Sequence, residues 1–235
     1  METQLYSEMY RQEKTYWWHV AKRKLVQSCV SGKKVLDVGC GTGAMLSELK
    51  EKGFEVYGLD GSDQALKFCG LRGLENLKQA DFEKPLPYPA GSFDTVLCLD
   101  VLEHVNQDNL LLANLKRVLK PGGRLIVTVP AYQFLWTYWD EMLGHKRRYH
   151  LPQIKRLVLE SGLKIEKATY FFCLHSPAFV VRLLKSKMSD RKESDFVDLP
   201  APVNAFLLFA AAVERFLLRF MNMPFGVSVL VIAKK

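Results

Sequence analysis

The chain has 235 residues, of which 49% are apolar, and its 33 basic and 25 acidic residues give a formal net charge of +8. This length suits one α/β domain with insertions better than two domains, and the apolar fraction is enough for a sizeable core. The basic balance favours anionic partners, namely phosphate-bearing substrates, membrane headgroups or nucleic acid, without choosing among them. Residues 1–14 lack the apolar stretch of a signal peptide, so we expect a cytoplasmic protein. The cysteines are scattered without metal-ligand spacing and are odd in number, which argues against a disulfide framework: Cys29, Cys40, Cys69, Cys98 and Cys173.

Residues 1–30 are expected to form an N-terminal helical arm. An aromatic run from Tyr16 to His19, which includes Trp17, precedes three consecutive cations that begin at Lys22. Such an arm could cover a bound cofactor or contact an anionic substrate through Trp17. It could equally be an amphipathic helix that packs on the sheet with its charges in solvent.

A buried strand over Val35 to Val38 leads into a glycine turn, Gly39-Cys-Gly41-Thr-Gly43, and then into a helix. Strand, glycine turn and helix together hold a nucleotide-like cofactor in an open α/β sheet, because glycine lets the backbone approach the ligand closely. The turn also fits the looser dinucleotide pattern. Asp37, two residues before the first glycine, favours a ligand with an ammonium group over a pyrophosphate. S-adenosylmethionine (SAM) carries an ammonium, a sulfonium and no phosphate.

Two acidic positions further along the chain extend this cofactor site. Asp60 ends the next predicted strand about 20 residues past the glycines, where a carboxylate can accept hydrogen bonds from ribose hydroxyls. Asp81 could accept a hydrogen bond from the adenine amine, with the ring lying beside Phe82. The ribose contact is shared with NAD, so it supports nucleoside binding without selecting the cofactor.

Strands and helices alternate regularly from Lys33, which predicts parallel strands with right-handed crossovers. Ser62 is expected to cap the second helix of this region. A strand over residues 93–99, a helix over residues 106–119 and a strand over residues 124–129 follow. In such sheets the carboxyl ends of the strands surround one crevice, and Asp100 and Pro130 should lie there with the cofactor residues.

Asp100, Glu103 and His104 follow the strand over residues 93–99, and their spacing puts them on one face of a helical turn. His104 is the first candidate for a general base, and its alternative role is to cap the following helix or to hydrogen-bond the backbone. We expect no metal at this site. Two carboxylates and an imidazole are nevertheless groups that could hold a divalent cation beside the acceptor.

Residues 131–150 combine aromatic and basic side chains and follow a strand's carboxyl end, so the loop should face the crevice. We expect Tyr132, Trp136, Arg147 and Arg148 to contact an acceptor that has a flat or apolar part and an anionic part. His145, and less so His150, are further candidates for a base. The alternative is a solvated charge run beside a packed aromatic cluster.

Residues 174–223 are expected to be an apolar helical insertion before the final strand. Its first half carries Arg182, Lys185 and Lys187 among aliphatic residues, and its second half contains an unbroken apolar run, residues 205–213. A bilayer span needs about 20 apolar residues, so this segment should be a buried lid, a dimer interface or a peripheral contact with an anionic membrane.

In the order and spacing of its motifs, the chain resembles the class I SAM-dependent methyltransferases. The matching pieces are residues 35–43, Asp60, Asp81-Phe82, residues 93–96 and residues 119–125. The resemblance implies an α/β, Rossmann-like, doubly wound, mostly parallel seven-stranded sheet whose last strand is antiparallel. The core of this single domain would comprise residues 31–173 and 224–235.

The resemblance also implies the activity and the cofactor. We expect a SAM-dependent methyltransferase that acts on a small or lipid-linked, anionic acceptor, and a homodimer is an open alternative to a monomer. Other possibilities are an RNA or DNA methyltransferase and a SAM-binding module without activity. The run from Asp100 to His104 resembles one in the ubiquinone-pathway O-methyltransferases, where the first acid is glutamate and the group binds Mg²⁺.

Overall fold

A computed structural model of the protein describes residues 3–177, 179 and 199–235. These residues form one seven-stranded sheet in the order β3-β2-β1-β4-β5-β7-β6. The ladders from β3 to β5 are parallel, and β7 pairs antiparallel with both β5 and β6. The expected fold class is therefore confirmed. The strands are β1 (Lys34–Val38), β2 (Glu55–Asp60), β3 (Leu77–Gln79), β4 (Phe93–Leu99), β5 (Leu119–Pro130), β6 (Lys164–Phe171) and β7 (Ser228–Lys234).

Helices pack around this sheet. α5 packs against α7, α1 against α4, and α2 against α8. Short 3₁₀ turns follow β4 at Leu102–His104 and β5 at Gln133–Leu135. The helices are α1 (Thr3–Gln12), α2 (Trp17–Gln27), α3 (Ala44–Glu51), α4 (Asp63–Leu71), α5 (Asp108–Val118), α6 (Tyr138–Leu143), α7 (Leu151–Glu160) and α8 (Ala201–Leu217).

The central strands are apolar because both of their faces are covered. Val35, Leu36 and Val38 of β1 are fully buried, as expected for a parallel strand between two helical layers. The predicted helix cap is also present, since the Ser62 hydroxyl accepts a hydrogen bond from the Ala65 amide at 3.3 Å.

β5 begins earlier than the sequence predicts. Its first residue is Leu119, which pairs with Phe93, and the register shifts before Arg124 pairs with Thr95. The residues between form an irregular stretch where Gly123 passes close to the chain, since a Cβ there would lie 2.9 Å from the Lys120 carbonyl oxygen. The proline and glycines that suggested a loop instead form a bulged start to the strand.

The non-glycine residues with positive φ among those described are Asp100 (54°), Tyr132 (56°) and Phe172 (60°). Asp100 and Phe172 directly follow β4 and β6, and Tyr132 lies two residues after β5. β4, β5 and β6 run in the same direction, so all three residues lie at one edge of the sheet. Strained backbone of this kind concentrates at functional sites, and this is the edge where the crevice was expected.

Helix α8 contains the predicted apolar run, residues 205–213, and ends at Leu217, within the predicted insertion. One face packs through Ala211 and the buried Glu214, but Phe206 and Phe209 on the other face are 68% and 66% exposed. The described chain therefore covers one side of residues 205–213, and the alternatives of a lid, a dimer interface or a membrane contact stay predictions.

The cations of the insertion, Arg182, Lys185 and Lys187, lie outside the described residues. Among the helices that the structure does describe, none has the length and apolarity needed to traverse a bilayer.

Candidate functional site

The glycine turn between β1 and α3 adopts the tight geometry that the sequence suggested. Gly39, Gly41 and Gly43 have φ angles of 79°, 53° and 84°. A Cβ on Gly39 would lie 2.3 Å from a methyl of Val101. Glycine is therefore required at this position both by the backbone angle and by the contact. The turn holds the start of α3 against the end of β4.

Asp37 is a buried carboxylate at the tip of β1. Its side chain is 3% exposed, and its Oδ1 has no hydrogen-bond partner among the described residues. Burial, with a smaller contribution from the nearby Asp60 carboxylate, raises the pKa of Asp37 to about 7. An unpartnered buried acceptor of this kind fits the ammonium group of SAM, and a pyrophosphate would be repelled there.

Asp60 is fixed by backbone amides at the end of β2. One carboxylate oxygen accepts from Gly41 N and the other from Ser62 N, each at 2.9 Å. Burial raises the pKa of Asp60 although these amides stabilise the ionised form. Each oxygen still has a lone pair, so the carboxylate can accept both hydroxyls of a ribose.

An open cavity of about 570 Å³ adjoins Asp60 and contains the proposed adenine contacts. The exposed Asp81 carboxylate accepts a hydrogen bond from the Glu83 amide at 3.0 Å and pairs with Lys84 at 3.5 Å, while Phe82 is half-buried. The arrangement can hold a ring beside Phe82. The cavity is lined by Gly61, Gln79, Ala80, Asp81, Phe82, Glu83, His104 and Val105.

Helix α1 covers the glycine turn. The terminal methyl of Met9 lies 3.4 Å from where a Gly41 Cβ would stand. Glu13 accepts from the Thr42 hydroxyl and pairs with Arg72, whose Nε donates to the Thr42 carbonyl at 2.8 Å. The arm therefore covers the glycine turn, and its role over a bound cofactor stays one of the alternatives left open by the sequence.

Trp17 of the arm, predicted to contact the acceptor, packs against the insertion. Its ring stacks on His175 with centroids 4.3 Å apart, and its backbone amide donates to Asn204 Oδ1 at 2.9 Å. The side chain is 8% exposed. Trp17 thus joins α2 to α8, and its exposure to an acceptor is small.

Lys22 of α2 reaches the crevice and pairs with Asp100. Asp100 also accepts from the Thr128 hydroxyl at 3.0 Å. Burial opposes ionisation of Asp100, but the Lys22 ammonium and this hydroxyl prevail and lower its pKa. The sequence predicts Lys22 only as part of a run of cations. It does not predict the pair with Asp100, because a partner 78 residues away leaves no local pattern.

Asp100, Glu103 and His104, the residues considered for a cation, do not form one cluster as their spacing suggested. Asp100 is directed to Lys22, while Glu103 is fully buried with neither carboxylate oxygen hydrogen-bonded among the described residues. Burial, and then the Asp100 charge, raises the pKa of Glu103 well above its ordinary value. The three side chains that meet, with ligand atoms within 4.8 Å of one another, are Glu103, His104 and His145.

His104 lies in the 3₁₀ turn after β4. Its Nδ1 is 3.3 Å from the Gly144 carbonyl oxygen. Burial and the neighbouring His145 lower its pKa to about 4. The ring does not cap α5, which begins at Asp108. His104 therefore lines the cofactor cavity as a neutral imidazole.

His145 is held by Asp140, a residue that the sequence analysis did not select. Its Nδ1 lies 2.8 Å from Asp140 Oδ1, and Arg148 binds both oxygens of the same carboxylate at 2.8 Å. Although burial would raise it, the hydrogen bonds from His145 and Arg148 hold the pKa of Asp140 at about 2. Arg148 thus has a buried internal partner.

The remaining acceptor candidates lie around this loop. Arg147 pairs with Asp108 at 3.3 Å. Tyr132 stacks on Tyr170 with centroids 5.0 Å apart. Trp136 is half-buried at the end of the second 3₁₀ turn. An acceptor that reaches this side would meet aromatic surface, while both arginines of the loop already have anionic partners.

Comparisons with known proteins show which sequences this chain is similar to. A family model described as a methyltransferase domain matches residues 36–127. A protein named ubiquinone biosynthesis O-methyltransferase from Thiobacillus denitrificans is 41% identical over 158 residues, which are 60% of this chain and 68% of that protein. Its namesake from Idiomarina loihiensis is 40% identical over 99 residues, 40% of this chain and 41% of that protein. The chain spans about two fifths of the length of several such relatives.

The fold also matches solved structures. A Thermotoga maritima SAM-dependent methyltransferase, described as a possible histamine N-methyltransferase, superposes with a TM-score of 0.64 at 16% identity. The match covers 99% of this chain and 95% of that one. At this identity the likeness concerns the fold.

Proposed function

We propose, since this chain belongs to the class I SAM-dependent methyltransferases, that it transfers the methyl group of SAM to an oxygen of a small-molecule acceptor. The observation that carries the proposal is that two carboxylates adjoin the glycine turn. Asp37 is buried, and its Oδ1 has no hydrogen-bond partner among the described residues, while both oxygens of Asp60 are held by backbone amides. The choice of oxygen rests on the relatives named O-methyltransferase.

The residues of this chain would divide the work as follows. Asp37 and the glycine turn of Gly39, Gly41 and Gly43 would bind the amino-acid part of SAM, and Asp60 its ribose. Asp81 and Phe82 would bind the adenine. SAM, when bound, supplies an electrophilic methyl on a positively charged sulfur, and the leaving thioether is neutral, so no acid is needed.

The protein must then align the acceptor oxygen and keep water out. Helix α1 contributes to the second task because it covers the glycine turn through Met9 and Glu13. A hydroxyl acceptor also needs a base. His104 and His145, whose ring centroids are 4.8 Å apart, are the imidazoles of the crevice that could take the proton, and Tyr132 and Trp136 would contact the acceptor's flat part.

We further propose that the acceptor is lipid-linked and is met at a membrane surface. α8 and the turn after it expose an apolar stripe at helical spacing: Val203, Phe206, Phe209, Val213, Phe216 and Phe220. Exposed apolar surface of this extent marks an interaction site. Basic residues near an anionic leaflet add about 1 kcal/mol each, and the chain carries a net charge of +8. An anionic acceptor group would have to compete with Asp108 for Arg147 and with Asp140 for Arg148.

Labelling of products tests the activity. The protein is incubated with cell extract and SAM that carries a deuterated methyl group, and the aqueous and lipid phases are analysed by mass spectrometry. The proposal expects one product heavier by the labelled methyl, in the lipid phase if the acceptor is lipid-linked. Tight SAM binding without any labelled product would favour a binding module, and label in RNA would favour a nucleic-acid enzyme.

Co-sedimentation with liposomes tests the membrane contact separately. Binding to anionic vesicles should be lost when Phe206 and Phe209 are changed to serine. Leu71 is 71% exposed on α4, away from the stripe, so Leu71→Ser is the matched control and should bind as the wild type does. A protein that stays in the supernatant with every vesicle and dimerises through α8 would contradict this part of the proposal.

A further inference from the structure

Asp140 lies at the centre of a buried polar cluster that the proposed reaction has not yet used. It is fully buried, and its carboxylate binds His145 and Arg148. It also closes a capping box at the start of α6, where Thr137 N donates to Asp140 Oδ2 at 2.8 Å. The Arg148 pair and the Thr137 contacts already satisfy the carboxylate, so the bond to His145 is additional to what the loop needs for its own structure.

The contact with Asp140 decides which nitrogen of His145 carries the proton. An ionised carboxylate only accepts hydrogen bonds, so Nδ1 must be the N–H donor, and in the neutral imidazole the lone pair then lies on Nε2. Nε2 is directed to the side of the cluster where the Glu103 carboxyl lies, 3.9 Å away, which is beyond hydrogen-bond distance.

Several charged or titratable groups face His145. They come from three elements: Asp140 from α6, Glu103 and His104 from the 3₁₀ turn, and Asp100 from the end of β4. Arg148, on the loop itself, faces Asp140 from the other side. Asp100 couples this group to Lys22 of α2.

The loop that carries His145 is fastened to the 3₁₀ turn. Lys146 N donates to the Glu103 carbonyl at 2.8 Å, and the buried Tyr149 hydroxyl donates to the Leu102 carbonyl at 3.1 Å. The Gly144 carbonyl meets His104 Nδ1. These contacts bring His145 to the carboxyl end of β4, which borders the crevice where methyl transfer is proposed.

We propose that Asp140 is a positioning residue, which orients His145 so that Nε2 takes the proton of an acceptor hydroxyl during methyl transfer. The inference rests on the proposed function and deepens it, since it assigns the base and restricts the acceptor atom to a hydroxyl oxygen. The acceptor oxygen forms a bond to the methyl as the bond from methyl to sulfur breaks, and the sulfur leaves as a neutral thioether. The hydroxyl proton moves to Nε2 and is later released to water.

His104 lines the cavity and His145 is less exposed, but the hydrogen-bond partners favour His145 as the base. Protonation of Nε2 creates an imidazolium, and the Asp140 carboxylate stabilises that charge through Nδ1–H, as in other acid–histidine pairs. His104 has only a carbonyl oxygen at its Nδ1, and its depressed pKa makes it a weaker base. Arg148 has a supporting role because it keeps Asp140 ionised and in place.

The tautomer of His145 can be measured without any acceptor. In protein labelled with ¹⁵N-histidine, the neutral form of His145 in the wild type should carry its hydrogen on Nδ1, assigned by loss of the signal in His145→Gly. Asp140→Asn should lose this tautomer, because the amide can donate to Nδ1. A wild-type His145 with its hydrogen on Nε2 would overturn the inference.

Kinetics then test the chemical role, with catechol as the hydroxyl probe. His145→Gly should lower kcat by about 10²-fold or more, the scale of general-base catalysis, with KM and SAM affinity nearly unchanged, and added imidazole should restore part of the rate. Asp140→Asn should lower kcat in the same way. Glu160→Gln is the control for the acid-to-amide change, since the Glu160 side chain on α7 is 57% exposed and pairs with Arg156, outside the cluster, and it should keep the wild-type rate.

The outcomes separate the inference from the function on which it rests. No methyl transfer by the wild type to catechol or to extract overturns the proposed function and the base role together. Wild-type transfer with full activity of His145→Gly overturns only the inference. If chelator abolishes the wild-type activity and Mg²⁺ or Mn²⁺ restores it, the cluster binds a cation, and this result also overturns the inference. If Asp140→Asn fails to fold, rescue of His145→Gly by imidazole decides.

Discussion

Replacing Asp37 by asparagine should raise the free energy of unfolding of the SAM-free protein at pH 8. The same variant should bind SAM more weakly. Asp37 is buried, one of its oxygens has no partner, and its pKa is raised to about 7, chiefly by burial. In the unfolded chain an aspartate has a pKa of about 3.9. The folded state therefore holds the proton more tightly than the unfolded state does.

The sign of the pH dependence follows from this difference. As pH rises from about 4 to about 7, the unfolded chain releases its proton first, so this residue's contribution to stability falls. The difference of about three units between the two pKa values corresponds to about 4 kcal/mol of free energy of unfolding, which has been lost once the pH exceeds 7. Between pH 5 and pH 8 the free energy of unfolding of Asp37→Asn should rise relative to wild type by about 3 kcal/mol. The unpaired amide costs about 1–3 kcal/mol at every pH, so the change with pH is the quantity to measure.

SAM binding should move in the opposite direction. Loss of a hydrogen bond to a charged group costs about 1.5–3 kcal/mol, which is roughly 10- to 100-fold in affinity. Urea unfolding at the two pH values and calorimetric titration with SAM measure both effects. Asp63→Asn is the matched control, because that carboxylate is 65% exposed and pairs only with Lys67 on the surface. Equal stability differences at both pH values, or unchanged SAM affinity, would refute the reasoning.

Further variants test the turn, the metal question and the second imidazole. Gly39→Ala should lower stability and SAM affinity together, because its Cβ would clash with Val101 and its φ is positive; thermal unfolding and calorimetry measure this, and a wild-type melting temperature would contradict it. Chelator should leave the rate unchanged, because Asp100 pairs with Lys22, whereas loss restored by Mg²⁺ would show that the pair gives way to a cation. His104→Ala should lower kcat less than His145→Gly does, with little change in SAM affinity; an equal loss in both variants would make the two imidazoles equivalent.

The sequence was sufficient for the fold and for the cofactor edge because their signals are local. The strand, glycine turn and helix around Gly39 lie within a few residues of one another, and regular alternation from Lys33 predicts the parallel ladders. The antiparallel last strand came from the resemblance. The structure places Asp37 and Asp60 beside each other as expected, although their roles in binding SAM stay predictions.

The acceptor side could be predicted less well because it is built from contacts across long sequence separations. Lys22 meets Asp100 from the N-terminal arm, and Trp17 is covered by residues of the insertion. Arg148 looked like a solvent-facing cation in a basic run, but its partner Asp140 lies eight residues earlier, across the turn after α6. A histidine five residues after a helical aspartate was the only available signal for the pair with His145.

Calorimetric titration of the wild-type protein and of Asp60→Ala, each with SAM and with NAD, tests the central claim most directly. We predict that the wild type binds one SAM per chain and binds NAD more weakly. Asp60→Ala should fold normally and bind SAM weaker by about 2–3 kcal/mol, the scale of lost hydrogen bonds to a charged group. Tighter binding of NAD than of SAM, or unchanged SAM affinity in folded Asp60→Ala, would contradict the account.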